Sequence, residues 1–147
     1  LKEVQYAYNE KGNEVEISSY SAEEERNIKI EMDYDEKGQK TEMRTILDGE
    51  KLIARTLYEF NETGQVVKIT EEDQHNSTST SISHDEKGNM TEQLEYNKAG
   101  ELNSRLLRKF DEDNNLLEVA VTIDRHGAGI NHNYLLQYTY DFFEQQV

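Results

Sequence analysis

Four histidines, His75, His84, His126 and His132, are the obvious metal ligands and proton carriers of this chain. His126 and His132 lie six apart across a glycine-bearing bend, and with Asp124 they offer the donor types a divalent cation takes. His84 stands where equivalent segments carry Tyr or Phe, which reads as a packing substitution. Asp111-Glu112-Asp113-Asn114-Asn115 opens like a calcium loop, with oxygens at alternate positions. An EF-hand needs Gly at its sixth position and Glu at its twelfth, where this chain has Leu116 and Thr122, so a solvated turn is the better reading. Ser77, Ser79, Ser81 and Ser83 would supply a nucleophile only beside a base, and no G-x-S-x-G elbow accompanies them. A glycosidase pair needs one acid with a raised pKa in a cleft, and any such pair here would be two picked from 31 Asp+Glu. The expectation is a chain with no catalytic residue, no cofactor and no resident metal.

Composition narrows the partners. The 147 residues hold 31 acids against 16 Lys+Arg, a net charge of -15, with no Cys, Pro or Trp and only 34% hydrophobic residues. Disulfides and thiolate zinc sites are excluded because both need cysteine sulfur. No basic cluster exists to neutralise phosphates, so nucleic acid is not an expected partner. No run of 18 apolar residues exists, so no transmembrane segment is expected. The acid surplus reads as a solvated face that keeps the chain soluble and discourages edge pairing. One domain over 1–147, with a thin or one-sided core, is the expectation. The chain begins at Leu1 rather than Met, which predicts a trimmed product, and any signal peptide or lipid-attachment cysteine would lie upstream of it.

An internal repeat dominates the chain. Tyr8-Asn9-Glu10-Lys11-Gly12-Asn13 returns as Tyr34-Asp35-Glu36-Lys37-Gly38-Gln39, as Phe60-Asn61-Glu62-Thr63-Gly64-Gln65 and as His84-Asp85-Glu86-Lys87-Gly88-Asn89. Phe110-Asp111-Glu112-Asp113-Asn114-Asn115 continues it, so the fourth turn residues fall at 12, 38, 64, 88 and 114, in steps of 26, 26, 24 and 26. Between them lie Asp48-Gly49, Asn97 to Gly100 and Asp124 to Gly127, which halve the period to one strand and one turn. A type I turn favours Asp or Asn at its first position, where the side chain caps local N–H groups, and a residue tolerant of positive φ at its fourth. The pairs Asn9/Gly12, Asp35/Gly38, Asn61/Gly64, Asp85/Gly88, Asn97/Gly100, Asp111/Asn114 and Asp124/Gly127 all fit, and Asp48-Gly49 reads as a two-residue hairpin turn.

Between turns the hydrophobicity alternates with period two, as half-buried strands require. Ile28, Ile30, Met32 and Tyr34 point one way while Lys29, Glu31 and Asp33 point the other. The spacing predicts an all-β fold: a single antiparallel up-and-down meander of about 11 strands, built from two-strand repeats of about 26 residues. Right-handed twist should curl its apolar face inward as a half-barrel, a closed barrel or a folded-over sheet. His75 to Ser83 holds only Ile82 as a hydrophobe, which predicts an edge-like or mobile strand after a loop at Asp73 to Asn76. Tyr6, Tyr8, Ile28, Ile30, Met32, Tyr58, Leu106, Val119, Leu136 and Tyr138 fall in the inward register, with Thr56 and Ser104 as polar members. A concave face of that composition is the expected ligand-binding surface if there is one.

The aromatic-Asp-x-x-Gly-Asn phrase, repeated at 8 to 13, 34 to 39, 60 to 65, 84 to 89, 96 to 101 and 110 to 115, resembles the YD repeats of RHS-type proteins. It is also similar to short envelope repeat lipoproteins of Bacteroidetes-type bacteria. The resemblance implies an antiparallel β-repeat fold, a bacterial envelope or exported setting, periplasmic or surface-anchored, and a shell or interaction role. It supplies no catalytic residues. The expected function is therefore a non-enzymatic structural or protein-interaction scaffold whose partner is an unknown protein or envelope component. The alternative is a carrier for a lipid or other apolar small molecule.

Overall fold

A computed structural model describes residues 2–23, 25–124 and 132–141, and it is all β. Eleven strands follow in order: β1 (Lys2–Tyr8), β2 (Glu14–Ser21), β3 (Arg26–Tyr34), β4 (Lys40–Leu47), β5 (Lys51–Phe60), β6 (Val66–Asp73), β7 (Ser77–His84), β8 (Met90–Tyr96), β9 (Leu102–Phe110), β10 (Leu116–Ile123) and β11 (His132–Gln137). They lie in one sheet in chain order, and among the described residues β1 and β11 form no ladder with each other. The closed-barrel alternative is thereby excluded. The chain divides into two compact units, 1–80 and 81–147.

The expected edge position of β7 is also corrected. It sits between β6 and β8 in the strand order, and its single hydrophobe Ile82 is 6% exposed. Ser and Thr have strand-compatible backbones, so ladder hydrogen bonds on both sides compensate for the missing apolar side chains. The Asp48-Gly49 connection is longer than expected, because Leu47 pairs with Lys51 and three residues form the loop. Asp48 and Gly49 both take positive φ, as a primed turn demands, and Asp48 Oδ1 accepts from the Asn27 N–H at 3.1 Å on the neighbouring hairpin.

The turns that follow Tyr8, Tyr34, Phe60, Tyr96 and Phe110 each lead into a bulge that leaves no signature in the sequence. Tyr8 pairs with Glu14 while Ala7 pairs with Glu16, so Val15 is an extra residue in the ladder. Thr41, Val67, Asn103 and Leu117 occupy the same place after their turns. A bulge bends the strand and increases its twist, and here it recurs with the turn.

Burial is sparse. Among the described residues only Met32, Ile82 and Val119 are buried. Large exposed hydrophobics gather at the two ends of the strand order: Val4, Tyr6 and Tyr8 on β1, and Tyr134, Leu135 and Leu136 on β11. An edge strand has a neighbour on one side only, so its side chains are covered from one side only.

Candidate functional site

The turns are built alike, and within each unit side chains join one to the next. In the first, the Gly12 N–H donates to Asn9 O at 2.9 Å, and Asn9 Oδ1 accepts from the N–H groups of Lys11 and Asn13. Asp35, Asn61, Asp85, Asn97 and Asp111 head turns closed by the same backbone bonds. Side chains then cross from one turn to the next repeat. Lys11 Nζ donates to Glu36 O at 3.1 Å and Gln39 Nε2 to Gly64 O at 3.1 Å. Lys87 Nζ donates to Glu112 O, and Asn89 Nδ2 to Asn114 Oδ1 at 2.8 Å. The period near 26 thus has a physical cause: two strands return the chain to the same edge, one turn along, where these side chains reach. The same bonds occupy the turn acids. The Asn89 side-chain amide holds the Asp85 carboxyl below its ordinary range, and the Asn115 amide does so for Asp111. The calcium-like run therefore has its leading carboxylate engaged by its own turn. Asp124 donates its N–H to Asn103 O at 2.7 Å, and its partner Gly127 lies outside the described residues. His126 lies outside them too, and the His132 ring stacks on Tyr134 with centroids 6.2 Å apart.

In the unit 1–80 the register brings the expected apolar positions to one face. Tyr6 lies opposite Ile17, Ile17 opposite Ile30, Ile30 opposite Thr45 and Thr45 opposite Ala54. Met32, Met43, Thr56 and Glu71 form the next row, and Tyr58 lies opposite Ile69 one row further. Met32 is 4% exposed, Ile30 and Tyr58 are half-buried, and Ile28, Tyr6 and Tyr8 are exposed. The Tyr34 hydroxyl donates to Glu14 O at 2.8 Å, and burial raises its pKa, with the Glu14 charge adding to the rise. The opposite face carries an ion-pair lattice. Arg44 bridges Asp33 at 2.6 Å, Glu42 at 3.1 Å and Glu31 at 3.3 Å, while Arg55 meets Glu42 at 2.7 Å. Lys29 and Arg44 hold Glu31 low, and Arg55 and Arg44 hold Glu42 low. Beside the lattice a shallow cavity of about 470 Å³ is lined by Gln5, Ser18, Tyr20, Asn27 and Lys29.

In the unit 81–147 the same logic sets out a grid on one face of β9, β10 and β11. Arg108, Val119 and Leu136 form one row, Leu106, Val121 and Tyr134 the next, and Ser104, Ile123 and His132 the third. Gln93 of β8 lies opposite Leu106. Leu106, Val119 and Leu136 are thus brought together as expected, and Tyr138 follows past the end of β11, its N–H donating to Leu117 O at 2.9 Å. Arg108 and Gln93 are the residues that sequence reasoning passed over. The signal was available, since Arg108 is two residues from Leu106 in a strand of period two. Arg108 Nη2 donates to Gln93 Oε1 at 2.9 Å, whereas its Nη1 is buried without a partner. A cavity of about 760 Å³ opens beside it, lined also by Thr91, Phe110, Lys87 and the two flanking turns.

These features define an antiparallel β meander of repeated hairpins with interlocked turns. No protein-family profile matches the chain, and no curated protein does. Among solved structures it is similar to a crystal structure of TcdB2-TccC3-Cdc42, with TM-score 0.58 and 12% identity, over 92% of this chain and 10% of that one. It also aligns with a porin-like protein from Bacteroides uniformis ATCC 8492 at TM-score 0.48 and 14% identity, over 92% of this chain and 52% of that one. The first likeness is one of fold, and the chain spans only a tenth of the larger protein's length.

Proposed function

We propose that this chain is a non-enzymatic scaffold module of the bacterial envelope or an exported assembly, built to present a β surface to other proteins. The observation that carries the reading is the row of interlocked turns, in which Lys11, Gln39, Lys87 and Asn89 each bind the turn one repeat onward. Polar groups of the repeat thereby serve the architecture, and the turn carboxylates of Asp85 and Asp111 are held by backbone and amide donors. The YD-like phrase and the fold shared with TcdB2-TccC3-Cdc42 support the same reading. The exposed tyrosines of β1 are the natural contact surface.

The test is a photo-crosslinking residue placed at Tyr6, which is 57% exposed, in the source cells, with Glu59 of β5 as control. The expected result is a discrete protein adduct from position 6 alone, recovered with the envelope or exported fraction. Recovery of the chain in the cytosol without an adduct would refute the reading.

A further inference from the structure

We propose that the apolar face of β9, β10 and β11 binds a free fatty acid, its carboxylate held by Arg108 and its chain laid along the grid toward Ser104. Arg108 is the observation that starts the argument. Arg44, Arg55 and Arg105 each pair with at least one carboxylate; Arg26 and Arg108 make no ion pair among the described residues of a chain with 31 acids, and of these two Arg26 is exposed while Arg108 is half-buried. Its one hydrogen bond is to the neutral amide oxygen of Gln93, and its Nη1 is buried and unpartnered. A buried guanidinium N–H without an acceptor is costly, and an incoming anion removes that cost.

The surroundings choose the anion. Arg108 lies on the apolar face, next to Val119 in its own row and one row from Leu106 and Val121. A ligand reaching Nη1 there must be apolar beyond its head group. Asp85, Glu86, Asp111 and Glu112 line the cavity beside Arg108, with only Lys87 and Lys109 as further cations. A dianionic phosphate would meet twice the repulsion of a monoanion from those four acids, so a carboxylate is favoured. Arginine also matches the planar carboxylate fork. The grid sets the length. From Arg108 to Ser104 is four residues of strand, roughly 14 Å at the usual rise, which is the reach of an extended chain of about ten to twelve carbons. Leu136 and Tyr134 stand about half exposed along that track and would be covered by the chain. This goes beyond the scaffold reading and does not depend on it.

The experiment titrates the purified protein with dodecanoate, dodecanol and dodecyl phosphate below their aggregation ranges, for the wild type, Arg108→Met and Arg105→Met. Arg105 pairs with Glu92 on the opposite face and serves as the charge-matched control. The expected result is saturable one-to-one binding of dodecanoate, weakened at least tenfold by Arg108→Met and unchanged by Arg105→Met. Dodecanol should bind both the wild type and Arg108→Met weakly and alike. Equal dodecanoate affinity in Arg108→Met, equal loss in Arg105→Met, or tighter binding of dodecyl phosphate would overturn the proposal. Should Arg108→Met fail to fold, wild-type NMR with dodecanoate decides: NOEs from its methylenes to the Leu106 and Val121 methyls are expected, and their absence rejects the site.

Discussion

Substituting Gly64 by alanine tests whether the turns are mechanically linked. Gly64 has φ +86°, and a Cβ built there would stand 2.8 Å from Gln39 Nε2, the atom that donates to Gly64 O. Gly38 has nearly the same φ, +82°, but its Cβ would meet only Asn13 Nδ2, at an ordinary 3.8 Å. Both changes place alanine in the left-handed region at about 1–2 kcal/mol, offset by about 0.4–1 kcal/mol from the stiffer unfolded chain. Gly38→Ala should therefore destabilise by about 1 kcal/mol. Gly64→Ala must also displace the Gln39 amide, and losing that hydrogen bond adds about 1 kcal/mol, for a total near 2 kcal/mol. Urea unfolding of both variants measures the difference. In a Gln39→Ala background the extra cost should vanish, so that Gly64→Ala falls to the Gly38→Ala value. Gly64→Asn should recover part of the backbone cost, because Asn tolerates positive φ as Asn114 does at +66°, while the Gln39 contact remains. Equal costs for the two alanine variants, or an extra cost that survives Gln39→Ala, would refute the linkage.

Three further outcomes follow from the same geometry. Asp111 has its folded-state pKa depressed by the Asn115 side-chain amide and backbone N–H, so its stabilisation is present above the unfolded carboxyl pKa and lost as pH falls through the folded value. Asp111→Asn should flatten the acid limb of the stability curve below about pH 4, and an unchanged limb in pH-dependent urea midpoints argues against that. Arg44→Gln opens the lattice joining Glu31, Asp33 and Glu42 and should cost about 0.5–1 kcal/mol at low salt, shrinking as salt is raised; a loss independent of ionic strength would assign Arg44 a packing role instead. Arg108→Met, in the absence of ligand, should leave thermal stability unchanged or raise it by about 1 kcal/mol, because a half-buried cation with no ion pair and one buried, unpartnered N–H is replaced by an apolar group of similar length; a large destabilisation would show that the guanidinium is satisfied in the free protein.

Strand positions were legible because Ile28, Ile30 and Met32 alternate with Lys29, Glu31 and Asp33, a pattern only a strand can sort into two faces. The turns were legible because positive φ restricts the fourth residue to Gly or Asn and capping restricts the first to Asp or Asn. The bulges were not, since Val15, Thr41, Val67, Asn103 and Leu117 share no chemistry; the extra residue follows from the turn and not from its own side chain. β7 misled because its apolar content was read as its anchorage, whereas the ladder holds it. Of the expected ligand-facing residues, Tyr6, Ile30, Met32 and Tyr58 share a face in one unit and Leu106, Val119 and Leu136 in the other. Arg108 escaped notice because a charge was assumed to point outward, although its parity with Leu106 put it on the apolar side.

The central claim is a meander in which each strand pairs with its sequence neighbours. The chain has no cysteine, so engineered pairs report contacts without background. Ser19→Cys with Ile28→Cys joins directly opposed positions of β2 and β3, whereas Val4→Cys with Ile28→Cys probes β1 against β3, which flank β2 in the same row at about twice the strand spacing, roughly 10 Å. Mild oxidation should close the first pair within monomers and leave the second open, since a disulfide needs Cα atoms within about 7 Å. An intramolecular bond between positions 4 and 28 would show that β2 does not lie between β1 and β3 and would contradict the account.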